Sequence, residues 1–301
     1  MSAARRAPCG AGSRNGAITR STLDRDHRRA PARSTALGVR CKDGVILGVE
    51  KLVLSKMLVE GSGRRVHAVE EHIGAATAGL NPDGRMLVER GRDEARGYRQ
   101  NFGEPVPPRV LSDRMGAFMH LFTLYGSYRP VGSSILLAGF DAESKEYELY
   151  LAEPTGLAMV RRGGGWAAIF FFFSRARAID PHGPPLRLPP PPFPLSAPRP
   201  QRYFGAAIGK GARAAKTEIE KLKFAGKTCA EALPLVAKIL LGVHDALKDK
   251  PIAVELAWVC AETGGKYEQV PKARTDAAVA AAKALIQSEL DAEDDDEVME
   301  A

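Results

Sequence analysis

Two strand-like runs flank Lys42-Asp43-Gly44: "TALGVRC" leads in from Thr35 and "GVILGVEK" leads out. Apolar, β-branched residues on both sides of an Asp-Gly pair predict a hairpin, because that dipeptide suits the backbone of a tight turn. A second strand pair is expected at residues 64–69 and 72–79, separated by Glu70-Glu71. Ala75, Ala76, Ala78 and Gly79 predict a strand closely covered by another layer. Two helices follow. Asn81 is expected as N-cap with Pro82 at the first helical position, and Leu87, Gly91, Ala95, Tyr98 and Phe102 then recur at helical spacing up to Gly103. Leu111, Met115, Phe118, Phe122 and Tyr125 mark the second helix, with Gly126 as its expected stop.

Strands resume in "SSILLAGFD" and "YELYLAEP", then "GLAMV" from Gly156. After residue 202, "YFGAAIG" predicts a strand and "KGARAAKTEIEKLK" a helix. Thr228 and Glu231 predict a capping box for a helix that carries Val236, Leu240, Val243 and Leu247, with Pro234 awkwardly inside it. "IAVELAWVC" reads as a buried strand, "KYEQV" as a short partner, and Pro271 as the start of an Ala-rich helix. Hairpin-joined strands alternating with paired helices predict an α+β layered fold and not a run of βαβ units.

Residues 161–202 break this regularity: four consecutive phenylalanines run into a segment crowded with prolines. The same stretch changes the reading of charge. The net charge of +7 suggests an anionic partner, but residues 1–33 and 161–202 each carry +6, which leaves the patterned remainder at −5. No nucleic-acid partner is therefore expected. Cys9, Cys41, Cys229 and Cys260 form no CxxC pair, and the histidines show no metal-ligand spacing, so neither a metal nor a cofactor site is expected. The apolar run at 166–173 is far short of the roughly 20 residues of a membrane span, and no membrane partner is expected. Gly209-Lys210-Gly211-Ala212-Arg213-Ala214 matches G-x-G-x-x-A after a strand, but a second parallel strand ending in an acid is missing, so close packing is the expected role of its glycines.

"GVRCKDGVILGVEKLVLSK", "AGLNPDGRMLVERGRDEA", "FTLYGSYRPVGSSILLAGFD" and "AAIGKGARAAKTEIEKL" together resemble proteasome α-type subunits. The hairpin, "EKLVLSK" and the acidic end are most similar to members at the seventh position of the α ring. The resemblance covers residues 34–160 and 203 onward. It implies a four-layer αββα sandwich of the N-terminal-nucleophile hydrolase type, here interrupted by a proline-rich insert. It also implies a non-catalytic place in a seven-membered ring. The implied partners are neighbouring α subunits, the adjacent β ring and regulatory particles, in cytoplasm and nucleus.

Two departures from the family pattern stand out. Residues 1–33 lack the family's N-terminal segment, and they are expected to be disordered or misassigned. Omitting 161–202 restores the family's strand–turn–strand–helix order, so that insert is expected to be translated non-coding sequence. A surface loop or a polyproline ligand is the alternative. Residues 34–160 and 203–290 are expected to form one domain, and residues 291–301 a solvated acidic tail.

In catalytic members of the fold the nucleophile is the freed first residue of the first strand. The resemblance puts Ser34 nearest that place, beside Thr35, with Glu50 where active subunits hold an aspartate and Arg65 where they hold a lysine. No Gly-Thr processing junction precedes them, and a guanidinium is a poor proton shuttle. No catalytic residue is expected, and a processed peptidase using Ser34 or Thr35 is the alternative. Arg65 is the expected contact for the C-terminal carboxylate of an activator tail. Ser288, followed by Glu289 and Asp291, resembles a casein kinase 2 acceptor.

Overall fold

The computed structural model describes residues 34–53, 57, 59, 61–125, 127–155, 202–244 and 252–300, for residue 290 and residues 292–300 the backbone only. The segment 1–33, the strand expected at 156–160, the proline-rich segment up to residue 201, Gly126 and Leu247 lie outside them. The strands are β1 (Thr35–Arg40), β2 (Gly44–Leu52), β3 (Val66–Glu70), β4 (Ile73–Gly79), β5 (Ser133–Asp141), β6 (Glu146–Ala152), β7 (Gly205–Gly209), β8 (Ile252–Cys260) and β9 (Tyr267–Gln269). The helices are α1 (Asn81–Phe102), α2 (Pro108–Leu124), α3 (Ala212–Leu222), α4 (Cys229–Val243) and α5 (Lys272–Glu300). One sheet has the order β7-β1-β2-β8-β9 and the other β3-β4-β5-β6, with antiparallel neighbours throughout.

Three buried clusters match the three interfaces of a four-layer stack. Leu37, Ile46 and Trp258 on the first sheet pack against Val236, Leu240 and Ala278 of α4 and α5. Val45, Leu47 and Val49 meet Ala76, Ala78 and Leu149 between the sheets. Ile73, Ile135 and Tyr150 on the second sheet pack against Leu87 of α1 and Leu111 and Met115 of α2. Side chains alternate across a strand, so a strand buried on both faces must be apolar or small at every position. β4, "IGAATAG", is buried at all seven positions. Its small residues let the layers approach: a Cβ on Gly74 would lie 2.3 Å from the Tyr267 ring. The expected αββα sandwich is the observed one.

The helix ends show what the sequence pattern could and could not place. α4 carries the expected capping box, with Glu231 N donating to Thr228 Oγ1 at 3.4 Å and Thr228 N donating to Glu231 Oε2 at 3.3 Å. Asp43, at the tip of the β1–β2 hairpin, adds a third cap by accepting from Cys229 N at 2.7 Å. Pro234 forgoes one helical hydrogen bond, and the caps together with the burial of Leu233 and Val236 offset that loss. α1 corrects the expectation for Asn81: Leu80 is the cap position, without a side-chain cap bond, and Asn81 is already helical. The reason is tertiary. Leu80 N donates to Gly132 O at 2.9 Å, which extends the chain one residue past β4 and leaves the helix to begin at 81. The first turn instead holds Asp83, which accepts from both terminal guanidinium nitrogens of Arg129 at 2.7 Å and from Gly132 N at 2.8 Å. α5 runs on to Glu300, so the acidic run expected as a tail continues the helix.

The chain is described again from Arg202. That residue forms a single bridge with Tyr150 of the edge strand β6, and its guanidinium pairs with Glu146 and, at 3.2 Å, with Glu148. Tyr203 N donates to Leu149 O at 3.0 Å. The return of the chain to the fold is thus fixed at the edge of the second sheet.

Candidate functional site

The nucleophile position of the fold is the start of β1, and here it is closed. Ser34 and Thr35 are each only 1% exposed. Thr35 N donates to Glu50 Oε2 at 3.2 Å, and Thr35 Oγ1 accepts from Gly211 N at 3.2 Å. The other carboxylate oxygen of Glu50 lies 3.0 Å from His244 Nδ1. Glu50 and His244 therefore tie the start of β1 to the end of α4, and the groups a base would need are committed to structural bonds. Ser34 Oγ is buried and has no hydrogen-bond partner among the described residues. His244 was not legible as part of this cluster, because nothing near residue 50 in the sequence points to residue 244.

Arg65 does not join that cluster. Its Nη1 donates to Gly79 O at 3.1 Å and its backbone N donates to Glu255 Oε2 at 3.0 Å. Burial lowers the Arg65 guanidinium below its ordinary value, and the Glu255 charge opposes the shift. No hydrogen bond or ion pair joins Arg65 to Glu50 among the described residues. Glu255 instead pairs with Lys51 at 3.4 Å. Ser288 is exposed on α5, with its hydroxyl donating to Leu285 O at 2.9 Å.

The G-x-G-x-x-A stretch is explained by packing. A Cβ on Gly211 would lie 1.9 Å from Val243 Cγ1, and one on Gly209, at φ +98°, would lie 2.1 Å from Ser34 O. The Gly211 N–H, which would face a phosphate in a dinucleotide fold, is taken by Thr35. Cys41, Cys229 and Cys260 are buried free thiols. A hydrogen bond between the Cys41 and Cys229 thiols, together with burial, pushes Cys229 far above the ordinary thiol range, which keeps it unreactive. Among the described residues no cluster of His, Cys, Asp or Glu could hold a metal ion, and no helix is long and apolar enough to cross a membrane.

The comparisons with known proteins agree with this geometry. A family model described as proteasome subunit matches residues 32–162. The chain is 40% identical over 259 residues to proteasome subunit alpha type-3 of Oryza sativa subsp. japonica, covering 86% of each chain. It is 42% identical over 263 residues to proteasome subunit alpha type-3 of Acanthamoeba castellanii, covering 87% of each. It is 33% identical over 241 residues to a probable proteasome subunit alpha type-7 of Saccharomyces cerevisiae, covering 79% of this chain and 68% of the relative. With a four-layer sandwich, a closed nucleophile position and relatives matched over most of their length, the chain belongs to the proteasome subunit family, in its α-type branch.

Proposed function

We propose that the chain is a non-catalytic structural subunit of the α ring of the proteasome core particle, supporting ring assembly, gating and the docking of regulatory particles in ubiquitin-dependent protein degradation. The likeness to α-type subunits over 86% of both chains carries the assignment. The burial of Ser34 and Thr35 supports the non-catalytic part. A nucleophile must reach a scissile carbonyl, and neither hydroxyl is open to one. The processed-peptidase alternative is not favoured by the relatives, which are α-type subunits.

The partners on this reading are the two neighbouring α subunits, the β subunits of the adjacent ring and regulatory particles, and the compartments are cytoplasm and nucleus. Arg65 is the contact for an activator's C-terminal carboxylate, which would compete with Gly79 O for the guanidinium. Activator binding left unchanged by Arg65→Ala removes that role. Ser288, exposed on α5, is a phosphate acceptor whose modification adds negative charge beside Glu289 and Asp291. A native chain unmodified at Ser288 removes that role.

The test is to tag the chain at its C-terminus in the source cells, isolate it under native conditions and map its peptides by mass spectrometry. Co-isolation of α and β subunits in equal amount supports the assignment, and a free chain that hydrolyses peptides overturns it. The same peptides test the insert: one running from near residue 160 directly into Tyr203 identifies 161–202 as absent from the mature chain. Peptides from within 179–200 identify a genuine surface insertion.

A further inference from the structure

Between the turn at 61–64, the edge strand β3 and the first half of α1 lies an open cleft of about 470 Å³. Arg64, His67, Arg85, Val88, Glu89 and Arg92 contribute its walls. Three guanidinium groups thus face one carboxylate. Arg92 is committed: its Nε and Nη2 donate to Ala68 O at 3.0 and 2.8 Å, and its Nη1 donates to Glu89 Oε1 at 2.7 Å. That pairing also neutralises Glu89. Arg64 and Arg85 are exposed, and neither guanidinium has a hydrogen-bond or ion-pair partner among the described residues.

The third polar group is His67. Its Nε2 is buried and has no hydrogen-bond partner among the described residues. Burial first, and then the neighbouring Arg92 charge, lower its pKa and keep the ring neutral. A neutral imidazole with its proton on Nδ1 leaves a lone pair on Nε2. A buried polar atom without a partner costs free energy, and a ligand able to satisfy it recovers that cost.

We propose that this cleft binds a phosphoryl group, clamped by Arg64 and Arg85 through charge-assisted hydrogen bonds and donating its own P–O–H to His67 Nε2. Hydrogen phosphate near neutral pH supplies both parts, acceptor oxygens for two guanidinium groups and a proton for the imidazole. Sulfate matches it in shape but is fully deprotonated, so it satisfies the arginines and not His67. The lining holds no Phe, Tyr or Trp, and its exposed groups include the charged guanidinium groups of Arg64 and Arg85, which pair with a phosphoryl group. The site is separate from Arg65, whose guanidinium is bonded to Gly79 O.

The test is isothermal titration calorimetry of the full-length chain with inorganic phosphate at constant ionic strength, with sulfate and chloride as controls. Phosphate is expected to bind saturably and more tightly than sulfate, with chloride giving no saturable heat. Arg64→Ala and Arg85→Ala, both at exposed positions, are each expected to weaken phosphate about tenfold. His67→Leu is expected to abolish the preference for phosphate over sulfate, its fold being checked by its thermal melt. Glycerol 3-phosphate, which near neutral pH is largely without a P–O–H, separates the two sources of the group: affinity no better than that of sulfate identifies free phosphate, and affinity equal to that of phosphate overturns the donation to His67. No saturable phosphate binding overturns the proposal. So does binding left unchanged in both arginine variants, or equal affinity for phosphate and sulfate in the wild-type chain.

Discussion

The Asp83–Arg129 pair makes the start of α1 a sensitive point, and Asp83→Asn tests it with little change of shape. Asp83 is 8% exposed at its side chain and Arg129 66%. The asparagine keeps one oxygen to accept from Gly132 N but loses the charge and one of the two bonds to Arg129. A charge-assisted hydrogen bond contributes about 1.5–3 kcal/mol when shielded. The exposure of Arg129 screens the pair toward the lower end, and the lost negative charge in the first helical turn adds a few tenths. The expected destabilisation at neutral pH is about 1–2 kcal/mol.

The pH dependence has a definite sign. The hydrogen bonds from Arg129 hold the Asp83 carboxyl below its ordinary value of 3.8. A depressed folded pKa gives stability that is present above the unfolded value and lost as pH falls through the folded one. Urea unfolding followed by circular dichroism, repeated between neutral pH and about pH 3, should therefore show wild type and variant converging on the acid side. A difference that stays constant with pH refutes the reasoning, as does one under about 0.5 kcal/mol at pH 7.

Two further outcomes follow from the start of β1. Gly211→Ala places a Cβ 1.9 Å from Val243 Cγ1 and should destabilise the chain by about 1–3 kcal/mol, read as a lowered thermal midpoint. An unchanged midpoint would show that α3 and α4 do not meet there. Ser34→Ala combined with Thr35→Val should leave every peptidase activity of the isolated particle at its wild-type rate. Loss of one activity class with assembly intact would return a nucleophile to this position.

Local features were legible in the sequence because local chemistry determines them. Lys42-Asp43-Gly44 announces its hairpin, Thr228 and Glu231 their capping box, and the stripe from Leu87 to Phe102 its helix. Pairings between distant residues were not legible. Asp43 reads as a turn residue, yet its carboxylate also caps α4 through Cys229, and Glu50 reads as a strand residue, yet it meets His244. Asn81 failed as a cap because the Leu80–Gly132 bond moves the start of the helix by one residue. The order β7-β1-β2-β8-β9 carries no periodic signal, since β1 pairs both with β2, next to it in sequence, and with β7, far along the chain. The cleft is hidden for a similar reason: Arg64 and Arg85 are two among many arginines until β3 and α1 bring them together.

The central claim is the chain's place in the ring, and a cryo-electron microscopy map of the native particle carrying the tagged chain tests it most directly. The account predicts density for this chain at one position of each outer seven-membered ring, with α1 and α2 against the adjacent ring and no substrate-accessible hydroxyl at Ser34 or Thr35. Density for the chain in an inner ring with an open β1 start, or particles lacking the chain altogether, would contradict it.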